Sequence, residues 1–178
     1  IDNPLERASN AIEGRRRRLD YSRPDDPLWG EGDLIRLTQL VGNLLDNAAK
    51  YTPPPGRISI QATCRGSRIS LEVTDTGIGM SQDDLERVFQ PFVQCNLSRC
   101  REYGGLGLGL SIVRQLAELH GATVKAASSG PGLGSSFRVD LPEAPAPQQT
   151  RHADEAACVP TSAPAVASQV NVLVVDDN

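Results

Sequence analysis

The stretch Leu40–Thr52, LVGNLLDNAAKYT, carries amide side chains where a core helix ordinarily carries only apolar ones. From Leu34 onward the apolar positions are Leu34, Leu37, Val41, Leu44, Leu45 and Ala48, the spacing of a helix with one buried face. Asn43, Asn47 and Lys50 fall at i, i+4 and i+7 and form a second stripe beside the first. Asparagine is a poor helix former because its amide competes for backbone hydrogen bonds. Two of them beside a lysine suggest a polar task for that face. Taken alone, the helix is equally compatible with a solvated stripe, so the decision rests on two further segments.

The first is Asp75-Thr-Gly-Ile-Gly79, at the end of an alternating run containing Ile69, Leu71 and Val73. Its glycines let the backbone turn sharply and approach a ligand that a Cβ would keep away. Asp75, at the end of a buried strand, can accept a hydrogen bond from an exocyclic amine; an ordinary Asx turn is the plainer alternative. The second is Gly104-Gly-Leu-Gly-Leu-Gly109, which leads into a helix over Leu110–His120. Glycines at a helix start offer free N–H groups and a dipole that favours an anion. No Gly-Lys-Ser/Thr follows, so this is not a P-loop, and no strand precedes it as a dinucleotide fingerprint would require.

In this order the three segments resemble the ATP-binding domain of sensor histidine kinases, of the GHKL superfamily, over roughly Leu28 to Pro142. The family shares its fold with type II topoisomerases, mismatch-repair ATPases and heat-shock chaperone ATPases. The resemblance implies an α/β (α+β) two-layer sandwich of the Bergerat type. Its mixed, mostly antiparallel sheet would be covered on one face by about three helices. It also implies ATP and Mg²⁺ as cofactors, and transfer of the γ-phosphoryl group to a histidine on a separate dimerisation domain. Asn43, Asn47 and Lys50 would be catalytic, with Asn47 the Mg²⁺ ligand through its amide oxygen. An oxygen-ligated, partly hydrated site suits that ion. Asn43 stands where hydrolytic relatives carry a glutamate that activates water. An amide cannot be that base, which favours transfer to a protein over hydrolysis.

Lys50 and Tyr51 would contact phosphate and ribose or metal-bound water. Asp75 would read the adenine amino group, within a loop that also brings Gly77, Ile78 and Gly79 to the nucleotide. Gly105, Leu106, Gly107, Leu108, Gly109 and Leu110 would close over the triphosphate. Leu106 stands where threonine is frequent in the family, and leucine offers no hydroxyl contact there. Val93–Tyr103 resembles the family's ATP lid, from which Arg99 and Arg101 could reach phosphate. Phe89-Gln-Pro-Phe92 matches its phenylalanine motif, whose rings are read as core packing at the base of that loop. The alternative to a kinase module is a catalytically degenerate nucleotide sensor or a related GHKL ATPase.

The rest of the chain is consistent with one domain and its appendages. Its 178 residues are 39% hydrophobic and 22% charged, an ordinary globular composition. The net charge of −4 argues against nucleic acid as principal partner. No apolar run nears the roughly 20 residues that span a bilayer, and no signal peptide is visible, so no membrane contact by this segment is expected. Cys64, Cys95, Cys100 and Cys158 lack metal spacing and read as free thiols of a reducing cytosol. A cytoplasmic location follows, with an inner-membrane anchor of the parent protein left open. Arg15–Arg18 reads as the solvated end of a short helix. Asp33 is the expected N-cap of the asparagine helix, and Pro53–Pro55 end it.

Neither His120, at a helix C-terminus, nor His152, in low-complexity sequence, looks like a phosphoacceptor; that residue is expected upstream of Ile1. The expected domains are 1–142 for the catalytic unit, with 1–17 a connecting helix, and 143–169 for an Ala/Pro-rich linker. The end, 170–178 (VNVLVVDDN), resembles the first strand and acidic pair of a receiver domain. The implied partners are therefore the dimerisation and phosphoacceptor domain and a receiver.

Overall fold

A computed structural model describes residues 17–93 and 106–146. The chain order is β1 (Arg17–Ser22), α1 (Leu34–Tyr51), β2 (Gly56–Arg65), β3 (Arg68–Asp75), α2 (Gln82–Arg87), α3 (Gly109–Leu119), β4 (Thr123–Ala127) and β5 (Ser135–Pro142). The five strands form one sheet in the order β1-β2-β3-β5-β4. β1 runs parallel to β2, and the other neighbours are antiparallel. This is the expected mixed sheet, with one parallel pair.

Period-two alternation decides what each row of the sheet presents. Ile60, Val73, Phe137 and Ala126 pair across four strands, and the first three are buried. Against this face lie Leu40, Leu44, Leu45 and Ala48 of α1 and Val113, Leu116 and Ala117 of α3, in one apolar cluster. The next row reads Leu19, Ile58, Asp75 and Ser135. A carboxylate therefore occupies a position on the helix-covered face where the pattern calls for an apolar residue.

The ends of α1 follow from local chemistry. Asp33 Oδ1 accepts from the N–H groups of Ile35 (2.9 Å) and Arg36 (3.1 Å), satisfying two donors the helix leaves open. Removing that oxygen in Asp33→Ala is expected to cost about 1 kcal/mol, read as a lowered urea midpoint with unchanged slope. His120 caps α3 and also ties the two helices together. Its Nε2 accepts from the Asp33 N–H at 3.1 Å, and its Nδ1 lies 2.7 Å from Leu116 O. Donation to that carbonyl puts the ring proton on Nδ1. Gly121, with φ +61°, then closes a Schellman turn in which Ala122 N donates to Ala117 O and Gly121 N to Glu118 O.

Two expectations are corrected. Arg17 is not solvated: it is buried, and its Nε donates to Thr52 O at 2.6 Å, at the C-terminus of α1. As the first residue of β1 it points inward, whereas Arg18, the next along the strand, is exposed. Phe92 is not core: it is 74% exposed, because a φ of 62° turns its side chain away from the sheet. Phe89 does pack, edge-on to Phe137 with centroids 6.4 Å apart.

Candidate functional site

A cavity of about 480 Å³ opens between α1, the loop after β3, α2 and the start of α3. From α1 it is lined by Asn43, Asp46, Asn47, Lys50 and Tyr51. The stripe read from sequence thus lines a concave cleft. Asn43 Nδ2 is buried with no hydrogen-bond partner. An orphaned amide is costly, and a polar ligand in the cavity would complete it. Lys50 Nζ lies 4.9 Å from the centre of the Tyr51 ring, a cation–π contact that holds the ammonium at the cavity wall.

The DTGIG loop forms the floor. Asp75 is 5% exposed, and its Oδ1 accepts from Gly77 N at 2.7 Å. Burial pushes its carboxyl above the usual range, and main-chain groups of Gly77 and Ser135 and the Thr52 side chain pull it back in part. The loop is pinned from both sides. Ile78 N donates to Tyr51 O (3.0 Å), Gly132 N to Ile78 O (2.6 Å) and Gly134 N to Gly77 O (3.1 Å). A Cβ on Gly77 would stand 2.2 Å from Tyr51 O, so only glycine lets the loop meet the end of α1. Gly77 therefore shapes the floor from behind, while Ile78 and Gly79 line the cavity.

The second glycine run supplies the opposite wall through Leu106, Gly107, Leu108, Gly109 and Leu110. Gly107, with φ +70°, accepts from Phe92 N at 3.1 Å, which ties this run to the end of the α2 segment. No side chain caps the first turn of α3. Arg99, Arg101 and Gly105 lie outside the described residues, as do Cys95, Cys100 and the segments 1–16 and 147–178.

Sequence reasoning missed Asp46, Met80, Asp84, Val88, Val93, Ser135 and Phe137 on the cavity wall. Asp84 sits in the first turn of α2 and accepts from Ser81 Oγ at 2.7 Å. Among the described residues no group of three or more His, Cys, Asp or Glu side chains converges to hold a metal. A cation here would rest on few protein oxygens, such as the Asn47 amide, with ligand oxygens and water completing its shell. That donor set is the one Mg²⁺ accepts.

Residues 32–145 match the family described as "Histidine kinase-, DNA gyrase B-, and HSP90-like ATPase". The chain is 42% identical over 124 residues to the sensor-like histidine kinase SenX3 of Mycolicibacterium smegmatis, covering 70% of this chain and 32% of that one. It is 44% identical over 111 residues to the circadian input-output histidine kinase CikA of Synechococcus elongatus, covering 62% of this chain and 15% of that one. The chain thus spans about a third or less of these relatives. Among solved structures, the mycobacterial sensor histidine kinase MprB superposes with a TM-score of 0.71 at 29% identity, over 82% of this chain and 94% of that chain. Full-length ShkA in complex with AMPPNP superposes with a TM-score of 0.68 at 30% identity, over 80% of this chain and 29% of that chain.

Proposed function

The chain belongs to the histidine kinase-, DNA gyrase B- and HSP90-like ATPase family, and on that premise we propose that it binds Mg·ATP and donates the γ-phosphoryl group to a histidine on a separate domain. The observation that carries this reading is convergence: three motifs far apart in sequence line one cavity of about 480 Å³. Asp75 would read the adenine amine, and Tyr51 and Lys50 would meet ribose and phosphate. The start of α3, with its glycine run, would take the phosphates. Asn47 would hold Mg²⁺, with Asn43 supporting it. A bound Mg²⁺ would neutralise phosphate charge, and what remains is positioning. A neutral imidazole nitrogen attacks Pγ; the bond to the β-phosphate oxygen breaks, a P–N bond forms, and ADP leaves. Arg99 and Arg101 remain candidates for phosphate contact.

Asn43 favours transfer over hydrolysis, because an amide at that position cannot deprotonate water. We further propose the domain plan of a catalytic unit to 142, a linker over 143–169 and the beginning of a receiver from 170. The partners would be a dimerisation and phosphoacceptor domain and a receiver, in the ATP-supplied cytoplasm. Among the described residues no helix is long and apolar enough to cross a membrane.

The test adds a histidine phosphoacceptor domain in trans with γ-labelled ATP. Label on the acceptor histidine supports the kinase reading. Nucleotide binding without labelling would leave a nucleotide-sensing module. Asp75→Ala is expected to keep the fold and weaken ATP binding by roughly ten- to a hundredfold, the loss of one hydrogen bond to a charged group. Because the ionised carboxylate is the stronger acceptor for the amine, wild-type affinity is expected to fall on the acid side. It should do so at a pH above the ordinary carboxylate range, since burial raises Asp75. Isothermal titration with a non-hydrolysable analogue across pH measures both.

A further inference from the structure

Thr52 is the first residue beyond α1, and it is fully buried. Both of its main-chain groups are engaged: its N–H donates to Ala48 O at 3.1 Å, and its carbonyl accepts from Arg17 Nε at 2.6 Å. Its methyl is fixed too. A Cβ on Gly56 would stand 2.2 Å from Thr52 Cγ2, so the start of β2 is closed around that methyl. What remains is the hydroxyl, and Oγ1 is buried with no hydrogen bond of regular geometry to any protein group.

A Cβ on Gly77 would stand 2.2 Å from Tyr51 O and 2.7 Å from Asp75 Oδ1, so the carboxylate packs against the chain that leads into Thr52; a hydroxyl there favours its ionised form, as the Gly77 N–H does. The relation between the two residues is fixed from both ends. Ile78 N donates to Tyr51 O, one residue before Thr52, and Thr76 N donates to Arg57 O, one residue after Gly56. Native structures seldom leave a buried hydroxyl idle, and here its nearest task is the carboxylate.

The chemistry gives that task a purpose. An ionised carboxylate only accepts, whereas a protonated one adds a donor and is the weaker acceptor. A base bearing an exocyclic amine needs an acceptor opposite it. A base bearing a carbonyl at the same position needs a donor. Burial of Asp75 favours the donor form, so donors placed around it determine which base the site prefers.

We propose that Thr52 is a positioning residue for base recognition: its hydroxyl donates to the Asp75 carboxylate and keeps it an acceptor aimed at the exocyclic amine of adenine. This rests on the reading of Asp75 as the base-contacting residue.

The test titrates the full chain with a non-hydrolysable ATP analogue and with its 6-deamino purine counterpart. Thr52→Val keeps the shape and removes the hydroxyl; Thr52→Ser keeps the hydroxyl and removes the methyl. Thr52→Val is expected to weaken the ATP analogue about three- to tenfold and leave the deamino analogue unchanged. Thr52→Ser is expected to retain the wild-type preference for the amine. Equal weakening of both nucleotides by Thr52→Val would make Thr52 merely structural and overturn the proposal, as would no weakening of either. If Thr52→Val does not fold, Thr52→Ser decides alone, and loss of the preference in it counts against the hydroxyl. Asp75→Ala in the same assay separates the two readings. If it keeps the preference, base reading by Asp75 itself fails; if it loses it while Thr52→Val does not, only Thr52 is removed.

Discussion

With Asn47 replaced by alanine, phosphoryl transfer to an added phosphoacceptor domain is expected to fall by about a hundred- to a thousandfold, and Mg²⁺ is expected to stop tightening nucleotide binding. Asn47 lies in α1 one turn beyond Asn43, half-buried, with its side chain at the cavity wall. The variant should fold, because alanine is the better helix residue and no apolar contact of the core is removed. The loss would be chemical. A cation held by Asn47 would stabilise charge developing on phosphate by several kcal/mol, and each 1.4 kcal/mol or so is a factor of ten in rate. With no convergent acidic cluster among the described residues, little else would replace the amide oxygen. Asp46 and Asp84 also line the cavity, so they are the residues to suspect if metal dependence survives. Titration with and without Mg²⁺ alongside the transfer assay tells these apart. An Asn47→Ala chain that still binds nucleotide more tightly with Mg²⁺ would move the metal to another donor.

Much of this arrangement is legible in the chain because its punctuation is strong. Asp33 and Pro53–Pro55 bracket α1, and the structure begins and ends that helix at Leu34 and Tyr51. Gly66 and Ser67 turn the β2–β3 hairpin, whose register pairs Arg65 with Arg68. What is not legible depends on which strand sits beside which. The β4–β5 pair can be read locally, but nothing local says that β5 and not β4 lies next to β3. That choice alone sets Ser135 opposite Asp75 and Phe137 opposite Val73, so two cavity residues were invisible beforehand. Arg17 was misread for a related reason. A run of four arginines reads as solvation, while a strand beginning at its third member turns that one side chain inward. Phe92 shows the reverse, an apolar residue that its backbone conformation places outside.

The glycines of the β4–β5 turn carry the second large effect. Gly134→Ala is expected to destabilise the fold by roughly 2–5 kcal/mol, against about 1–2 kcal/mol for Gly66→Ala. Both positions have left-handed φ, +74° and +63°, so both incur the conformational cost of a Cβ there. They differ in what that Cβ would meet. At Gly66 nothing lies within 4 Å, whereas at Gly134 the Asp75 carbonyl oxygen would be 2.0 Å away. A main-chain oxygen at the end of a central strand cannot swing aside as a side chain would, so the strain of overpacking adds to the cost of the dihedral. Relief requires moving either the turn, which Gly134 N anchors to Gly77 O, or the strand end that carries Asp75. Nucleotide affinity should therefore fall in Gly134→Ala at denaturant concentrations where the protein is still folded, and stay unchanged in Gly66→Ala. Urea unfolding of both variants, with titration of the ATP analogue, gives the comparison. Equal stability losses would show that the turn yields without disturbing Asp75, and the pinned floor of the cavity would then be softer than its hydrogen bonds imply.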